Sequence, residues 1–189
     1  LVPRHLRFDV PQRTVADGSA LQPLNEPFVE QLAHELAENG IEAVAIVFLH
    51  SFTNPADERA ARAAVLRAAP QLRVSISSDV VPEIREFERA STTIANVYVQ
   101  ARVERYLREL EERLQRLGFV GNFFLMLSSG GIATVDTAMR YPVRLLESGP
   151  AAGALAATAY GLAAGHQDVL SFDMGGTTAK LCVIDQGRP

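Results

Sequence analysis

A chain of 189 residues, 48% hydrophobic and 21% charged, has the make-up of ordinary globular material and the length of one domain or most of one. Its net charge is −4 and its basic residues are scattered, which excludes an electrostatic footprint for nucleic acid. No apolar run approaches the roughly 20 residues of a membrane span, no basic and apolar leader opens the chain, and the single cysteine, Cys182, allows no internal disulfide, so a reducing cytoplasm is the expected setting.

In chain order, residues 6–15 alternate weakly as an edge strand ahead of an Asp17-Gly18 turn. Asn25 then caps a helix with Pro27 in its first turn, Phe28, Val29, Leu32 and Leu36 on one face, and Gly40 as its stop. Residues 44–49 form a continuous β-rich run, the pattern of a buried strand. Asn54-Pro55 followed by Asp57 and Glu58 opens a second helix, which Pro70 stops, and 73–77 is the next strand. Strand, helix and strand with short connections predict a right-handed parallel crossover. The longest helix is predicted over 92–117, with Val99, Val103, Leu107, Leu110, Leu114 and Leu117 as a narrow apolar stripe that packs on its own sheet or, less simply, on a partner helix. Before it, Arg85, Glu86, Glu88 and Arg89 read as a solvated helix start; the alternative is that Arg89 and the hydroxyls of Ser91, Thr92 and Thr93 line a pocket.

Residues 123–127 are a further strand that runs into Ser128-Ser129-Gly130-Gly131, a polar loop or, at a strand's carboxyl end, a ligand loop. A helix follows over 149–164, with Pro150 in its first turn, Gly165 behind it, and Gly149, Gly153, Ala157 and Gly161 at every fourth position. Such a small-residue stripe lets another backbone approach closely. Two apolar strands then enclose Asp173-Met174-Gly175-Gly176-Thr177-Thr178, in a hairpin over 169–184. Glycine allows close approach of a ligand to backbone N–H groups, two hydroxyls add donors, and the carboxylate ending the first strand can hold a hydrated cation. The simpler alternative is that Gly175-Gly176 only makes the turn tight. Cys182 lies in a strand, as a buried small apolar residue more often does than a nucleophile. No His or Cys spacing fits a structural zinc site.

With its small-residue helix, an acidic residue ahead of it and a phosphate-type hairpin behind it, the segment from Glu147 to Ile184 resembles the actin, sugar-kinase and heat-shock-chaperone ATPase superfamily. A narrower resemblance spans most of the chain. Val44-Ala-Ile-Val-Phe-Leu-His-Ser-Phe-Thr-Asn-Pro55, the run from Ser77 to Thr93, Leu127-Ser-Ser-Gly-Gly131, Glu147-Ser-Gly-Pro-Ala-Ala-Gly153 and Asp173-Met-Gly-Gly-Thr177 are similar, in that order, to the hydantoinase A/5-oxoprolinase family.

The resemblance implies an incomplete α/β fold: a ribonuclease H-like ATPase lobe with a largely parallel sheet, plus the first hairpin of a second lobe. Residues 1–90 would end the family's N-terminal region and 91–189 would begin its core, with the connecting helix and phosphate hairpin. It implies ATP and Mg2+ as cofactors. Gly175, Gly176, Thr177 and Thr178, with Ser129, Gly130 and Gly131, would bind the nucleotide; Asp173 would hold the metal through water, and Glu147 would orient or deprotonate the nucleophile. The implied activity is phosphorylation of a small cyclic amide, hydantoin-like or 5-oxoproline-like, for ring-opening hydrolysis, together with a hydantoinase B-type partner subunit or domain. Alternatives are a subunit of an acetone- or acetophenone-type ketone carboxylase and a nucleotide-binding scaffold without turnover. The family's first phosphate motif and adenosine region are expected outside these residues, so the chain taken alone is expected to be inactive. Lys180 stands where the oxoprolinase pattern carries Asp, which leans towards the hydantoinase and ketone-carboxylase branches.

Overall fold

In the computed structural model, which describes residues 2–189, the helix signals lie where their capping residues stand. The Asn25 side-chain oxygen accepts a hydrogen bond from the Phe28 N–H (3.1 Å) at the start of α1 (Glu26–Glu38), and Pro27 occupies the first turn, where no N–H is needed. Gly40, at φ 75°, lets the chain reverse so that its own N–H and that of Ile41 reach back to the carbonyls of Ala37 and Leu36.

The chain divides into one unit ending at Ala101 and a second, Arg102–Pro189. In the first, only Arg13–Thr14 (β1) of the expected edge strand is paired, antiparallel to β2 (Ala20–Gln22) across the Asp17-Gly18 turn. Pro11 offers no N–H to a ladder, and residues before it make none. β3 (Ala43–Ile46) and β4 (Arg73–Ile76) pair in parallel, in register from Ala43 opposite Arg73 to Ile46 opposite Ile76. The crossover between them is α2 (Ala56–Ala68), as the spacing predicts. α1 and α2 bury Val29, Ala33, Ala61, Ala64 and Val65 against Ile46, Leu72 and Ile76 in one core.

β3 ends sooner than its apolar run. The Phe48 N–H is taken by Glu58 Oε1 (2.8 Å) and the Phe48 carbonyl by Arg89 Nη2 (2.7 Å), so both groups leave the ladder. His50 follows in the left-handed region, at φ 56°. α3 (Ser77–Val80) is a single turn after β4.

α4 (Glu86–Arg116) starts six residues before its predicted start at 92 and supplies residues to both units. Arg89 is therefore not part of a solvated helix start: its side chain is fully enclosed. Of the apolar stripe, Leu107 is buried at 1% exposure whereas Leu117 is 84% exposed.

The second unit holds β5 (Phe124–Met126) and β6 (Ile132–Thr134), antiparallel, then α5 (Val135–Arg140), which Thr134 caps through the Thr137 N–H. Leu107, Val135, Ala138 and Met139 form its core. α6 (Ser148–Ala163) leads to β7 (Val169–Met174) and β8 (Ala179–Ile184), antiparallel in register from Val169 opposite Ile184 to Met174 opposite Ala179.

The α/β class holds, but the expected largely parallel sheet does not: the described residues form four two-stranded ladders, of which only β3–β4 is parallel. A parallel pair needs a crossover of about a dozen residues, and the turns between β5 and β6 and between β7 and β8 are far shorter. Among the described residues no helix is long and apolar enough to cross a membrane.

The small-residue stripe of α6 divides into two halves. A Cβ at Gly161 would lie 2.5 Å from Val169 Cγ2, whereas one at Gly149 or Gly153 would meet nothing within 4 Å. Gly161→Ala is expected to destabilise the chain by about 1–3 kcal/mol, because a β-branched neighbour on a paired strand cannot swing away. Gly153→Ala should instead stabilise it by about 0.4–1 kcal/mol, through loss of unfolded-state freedom. Urea midpoints of the two variants measure the contrast, and equal shifts would mean that α6 does not rest on β7 through Gly161.

Candidate active site

The hairpin over 169–184 forms as its alternation predicts, and its turn closes through the Gly175 N–H to the Thr178 carbonyl at 3.0 Å. Asp173, Gly175, Gly176, Thr177 and Thr178 are all exposed. Neither glycine has a positive φ, and a Cβ on either would meet nothing within 4 Å. The turn as folded could therefore carry side chains at both positions.

Alternate residues of a strand share a face. Val169, Ser171 and Asp173 thus lie on one side with their partners Ile184, Cys182 and Lys180. That is the side α6 covers, since Val169 meets Gly161 and Ile184 is 1% exposed. Cys182 is half-buried on this face and donates weakly to the Val183 carbonyl. The opposite side, Leu170, Phe172, Met174, Leu181 and Val183, is apolar and 59–72% exposed.

α6 runs beside the hairpin with its last turns at the open end, at Val169, and its start at the turn end. The lengths match: 16 helical residues span about 24 Å and six strand residues about 20 Å. At the start stands Glu147, in the left-handed region at φ 60° and ψ 20°. A non-glycine residue there is strained by roughly 1–2 kcal/mol. Its carboxylate is paired with the Lys180 ammonium. Lys180 is also registered opposite Asp173 across the ladder, so the residue whose ammonium pairs with Glu147 is the cross-strand neighbour of the second predicted catalytic carboxylate. Lys180 reads from the sequence only as a departure from a pattern; its link to both acids comes from its pairing with Glu147 and from the strand register against Asp173.

Ser129, Gly130 and Gly131 occupy the turn of the β5–β6 hairpin. The Leu127 N–H bonds the Gly131 carbonyl and the Ser128 N–H bonds the Arg144 carbonyl, both at 2.8 Å. The loop follows a strand's carboxyl end, as expected, but β5 pairs antiparallel, so it is a hairpin turn and not a loop at the mouth of a parallel sheet. Gly130, at φ 82°, rests near Leu155 of α6, roughly 10 Å along the helix axis from Ser148. Glu147, Lys180 and Asp173 are brought together; the β5–β6 turn is held on the same helix about two turns on.

In the first unit a second polar group is assembled that the sequence reading did not foresee. Glu58, Ser77, Ser51 and Arg89 are each below 2% exposure. Glu58 Oε1 accepts from Ser77 Oγ (2.6 Å) and Oε2 from the Ser78 N–H (2.8 Å); Ser77 Oγ lies 3.1 Å from Ser51 Oγ, which accepts from Arg89 Nη1 (2.7 Å). Glu58 had the appearance of an acid in a helix's first turn, and only the pocket alternative for Arg89 pointed towards its burial.

Among the described residues no group of three or more His, Cys, Asp or Glu side chains could hold a metal ion. Mg2+ bound to a nucleotide does not need one, as it keeps waters and takes one or two carboxylates plus phosphates. An exposed Asp173 next to an exposed turn with two hydroxyls fits that donor set.

A family model described as Hydantoinase/oxoprolinase matches residues 89–189, and one described as Hydantoinase/oxoprolinase N-terminal region matches residues 1–69. An uncharacterised protein of Methanocaldococcus jannaschii is 39% identical over 189 residues, covering 100% of this chain and 28% of that protein. Caprolactamase subunit alpha of Pseudomonas jessenii is 34% identical over 188 residues, covering 100% of this chain and 27% of the relative. The nucleotide-free structure of acetone carboxylase, which carries out ATP-dependent acetone carboxylation, matches with a TM-score of 0.87 at 30% identity, over 99% of this chain and 27% of that one. The chain thus spans little more than a quarter of these relatives. With more than half of it matched by the family model and its backbone shared with an ATP-dependent enzyme, the chain belongs to the hydantoinase/oxoprolinase family.

Proposed function

We propose that this chain is part of an ATP-dependent amidohydrolase subunit that phosphorylates a small cyclic amide, of hydantoin or 5-oxoproline type, for ring-opening hydrolysis. Gly175, Gly176, Thr177 and Thr178 bind the nucleotide's terminal phosphates, with Ser129, Gly130 and Gly131 as further nucleotide contacts. Asp173 holds Mg2+ through water, and Glu147 orients or deprotonates the attacking nucleophile. ATP supplies the phosphoryl group that makes an amide oxygen a good leaving group, and Mg2+ supplies the charge that steadies its transfer. The chain's own residues present donors, fix carboxylates and keep the turn open to approach.

The observation that carries this reading is the pair of glycines at 175 and 176, which neither φ nor packing within the chain requires. The apolar outer face of β7–β8 supports the finer fold assignment, a ribonuclease H-like ATPase lobe followed by the first hairpin of a second lobe: with α6 on its other face, a hairpin this apolar on the outside has the pattern of one layer in a larger structure. Caprolactamase subunit alpha and acetone carboxylase beta subunit are named as subunits, which supports a hydantoinase B-type partner.

In the full-length protein, Gly175→Ala and Gly176→Ala should leave the thermal midpoint unchanged and weaken nucleotide binding by about tenfold or more, the loss of at least one charge-assisted hydrogen bond. Calorimetric titration with ATP and Mg2+ measures it, and unaltered affinity in both variants would remove the turn from the nucleotide site. Lys180, where the oxoprolinase pattern carries Asp, leans towards the hydantoinase and ketone-carboxylase branches, so a ketone carboxylase subunit is the second reading. ATP turnover that requires a ketone and bicarbonate, and ignores lactams, would select it.

A further inference from the structure

Two of the groups assigned above share a neighbour. Lys180 Nζ is hydrogen-bonded to Glu147 Oε2, and the Lys180 backbone is registered against Asp173. Glu147 needs such a neighbour. Its backbone is fixed by a left-handed residue between the extended Leu146 and the first turn of α6, but its side chain is 73% exposed. An exposed glutamate samples several rotamers, whereas a group that orients a nucleophile must stay within a fraction of an ångström of one place. Lys180 is on the hairpin face that α6 covers, with its side chain 40% exposed, so its own stem is confined.

We infer that Lys180 is a positioning residue for the reaction proposed above: its ammonium holds the Glu147 carboxylate in its working orientation at the start of α6, and does so from the strand position that also faces Asp173. The pair contributes little to stability, since an exposed ion pair is worth about 0–1 kcal/mol. Its value is geometric. A displacement of about 1 Å in an orienting group costs on the order of 10²-fold in rate. The inference rests on the role given to Glu147, and not on any contact between Lys180 and substrate.

Steady-state ATP turnover of the full-length protein with its partner subunit and substrate, in four variants, tests it. Lys180→Met should keep the thermal midpoint within a few degrees and the KM for ATP within about twofold, and lower kcat by about 10–100-fold. Lys180→Arg, which keeps the cation, should restore most of kcat. Glu147→Gln should be slow, and the double variant Glu147→Gln with Lys180→Met should be no slower than Glu147→Gln alone, because the lysine acts through the glutamate. Normal kcat in Lys180→Met with a slow Glu147→Gln overturns this inference and leaves the proposed function standing. Normal kcat in Glu147→Gln overturns the role of Glu147 itself. A raised KM for ATP in Lys180→Met, additive losses in the double variant, or a large loss of stability overturns positioning in favour of direct phosphate contact or a structural role.

Discussion

Asp173→Asn in the full-length protein should fold normally and lose substrate-dependent ATP turnover by about 10³-fold or more. Two magnitudes decide this. The structural cost is the loss of one opposite-charge neighbour across the ladder, Lys180, which for an exposed pair is about 0.2–1 kcal/mol. The catalytic cost is the loss of a full negative charge where a metal is to be held, and 10³-fold corresponds to about 4 kcal/mol of barrier. An isosteric amide keeps the shape of the strand end, so a folding defect would not accompany the loss. The thermal midpoint and kcat, measured together, separate the two costs. Turnover within a few-fold of the parent would show that this carboxylate only balances Lys180. Loss of both stability and turnover would place Asp173 in the fold rather than in the chemistry.

The parts of this arrangement that were legible in the sequence are those written in local signals. Asn25, Pro27 and Gly40 each act on neighbours within four residues, and α1 begins and ends where they say. The same holds for Asn54-Pro55 before α2 and for the alternation around Gly175-Gly176. What was not legible is partner choice between distant segments. An apolar run such as 123–127 has the same appearance in a parallel or an antiparallel pair, and only the short turn at Gly130 decides for β5–β6. The apolar run overstates the strand at Phe48 for a related reason: its backbone groups are claimed by Glu58 and Arg89, ten and forty-one residues on. In the candidate site, Glu147 and Asp173 could be named from their motifs, but that Lys180 pairs with the one and faces the other depends on how α6 meets the hairpin and on the register of β7 and β8. The charged run Arg85, Glu86, Glu88 and Arg89 reads as a solvated helix start. A guanidinium can be buried only where carbonyls and hydroxyls from elsewhere receive it, and no periodicity carries that information.

Removing that guanidinium should have the largest effect on stability in the first unit. Arg89→Met deletes the buried donor to Ser51 Oγ and to the Phe48 carbonyl, and takes the cation out of a buried network that also holds the Glu58 carboxylate. Two hydrogen bonds from a buried charged donor, at about 1.5–3 kcal/mol each, are lost together, which at about 3–5 kcal/mol is for a chain of this length a fall of about 10 °C in thermal midpoint. Glu58→Gln should be of similar severity: its amide N–H group would meet donors, from Ser77 and Phe48 on one oxygen or the Ser78 N–H on the other. Glu58 and Arg89 are joined through Ser77 and Ser51, with two hydroxyls between them. If that chain of bonds acts as one buried unit, the double variant loses less than the sum of the two, by about 1–3 kcal/mol, because the second substitution removes a charge whose partner is already gone. If the hydroxyls merely fill space, the losses add to within about 0.5 kcal/mol. Arg89 Nε, His50 Nδ1 and Ser78 Oγ are enclosed in this region without a protein partner. Ser78→Ala should therefore cost nothing or slightly stabilise, since an unpartnered hydroxyl contributes only its desolvation. That variant calibrates the cycle: a polar atom outside the relay is dispensable, while each member of the relay is not.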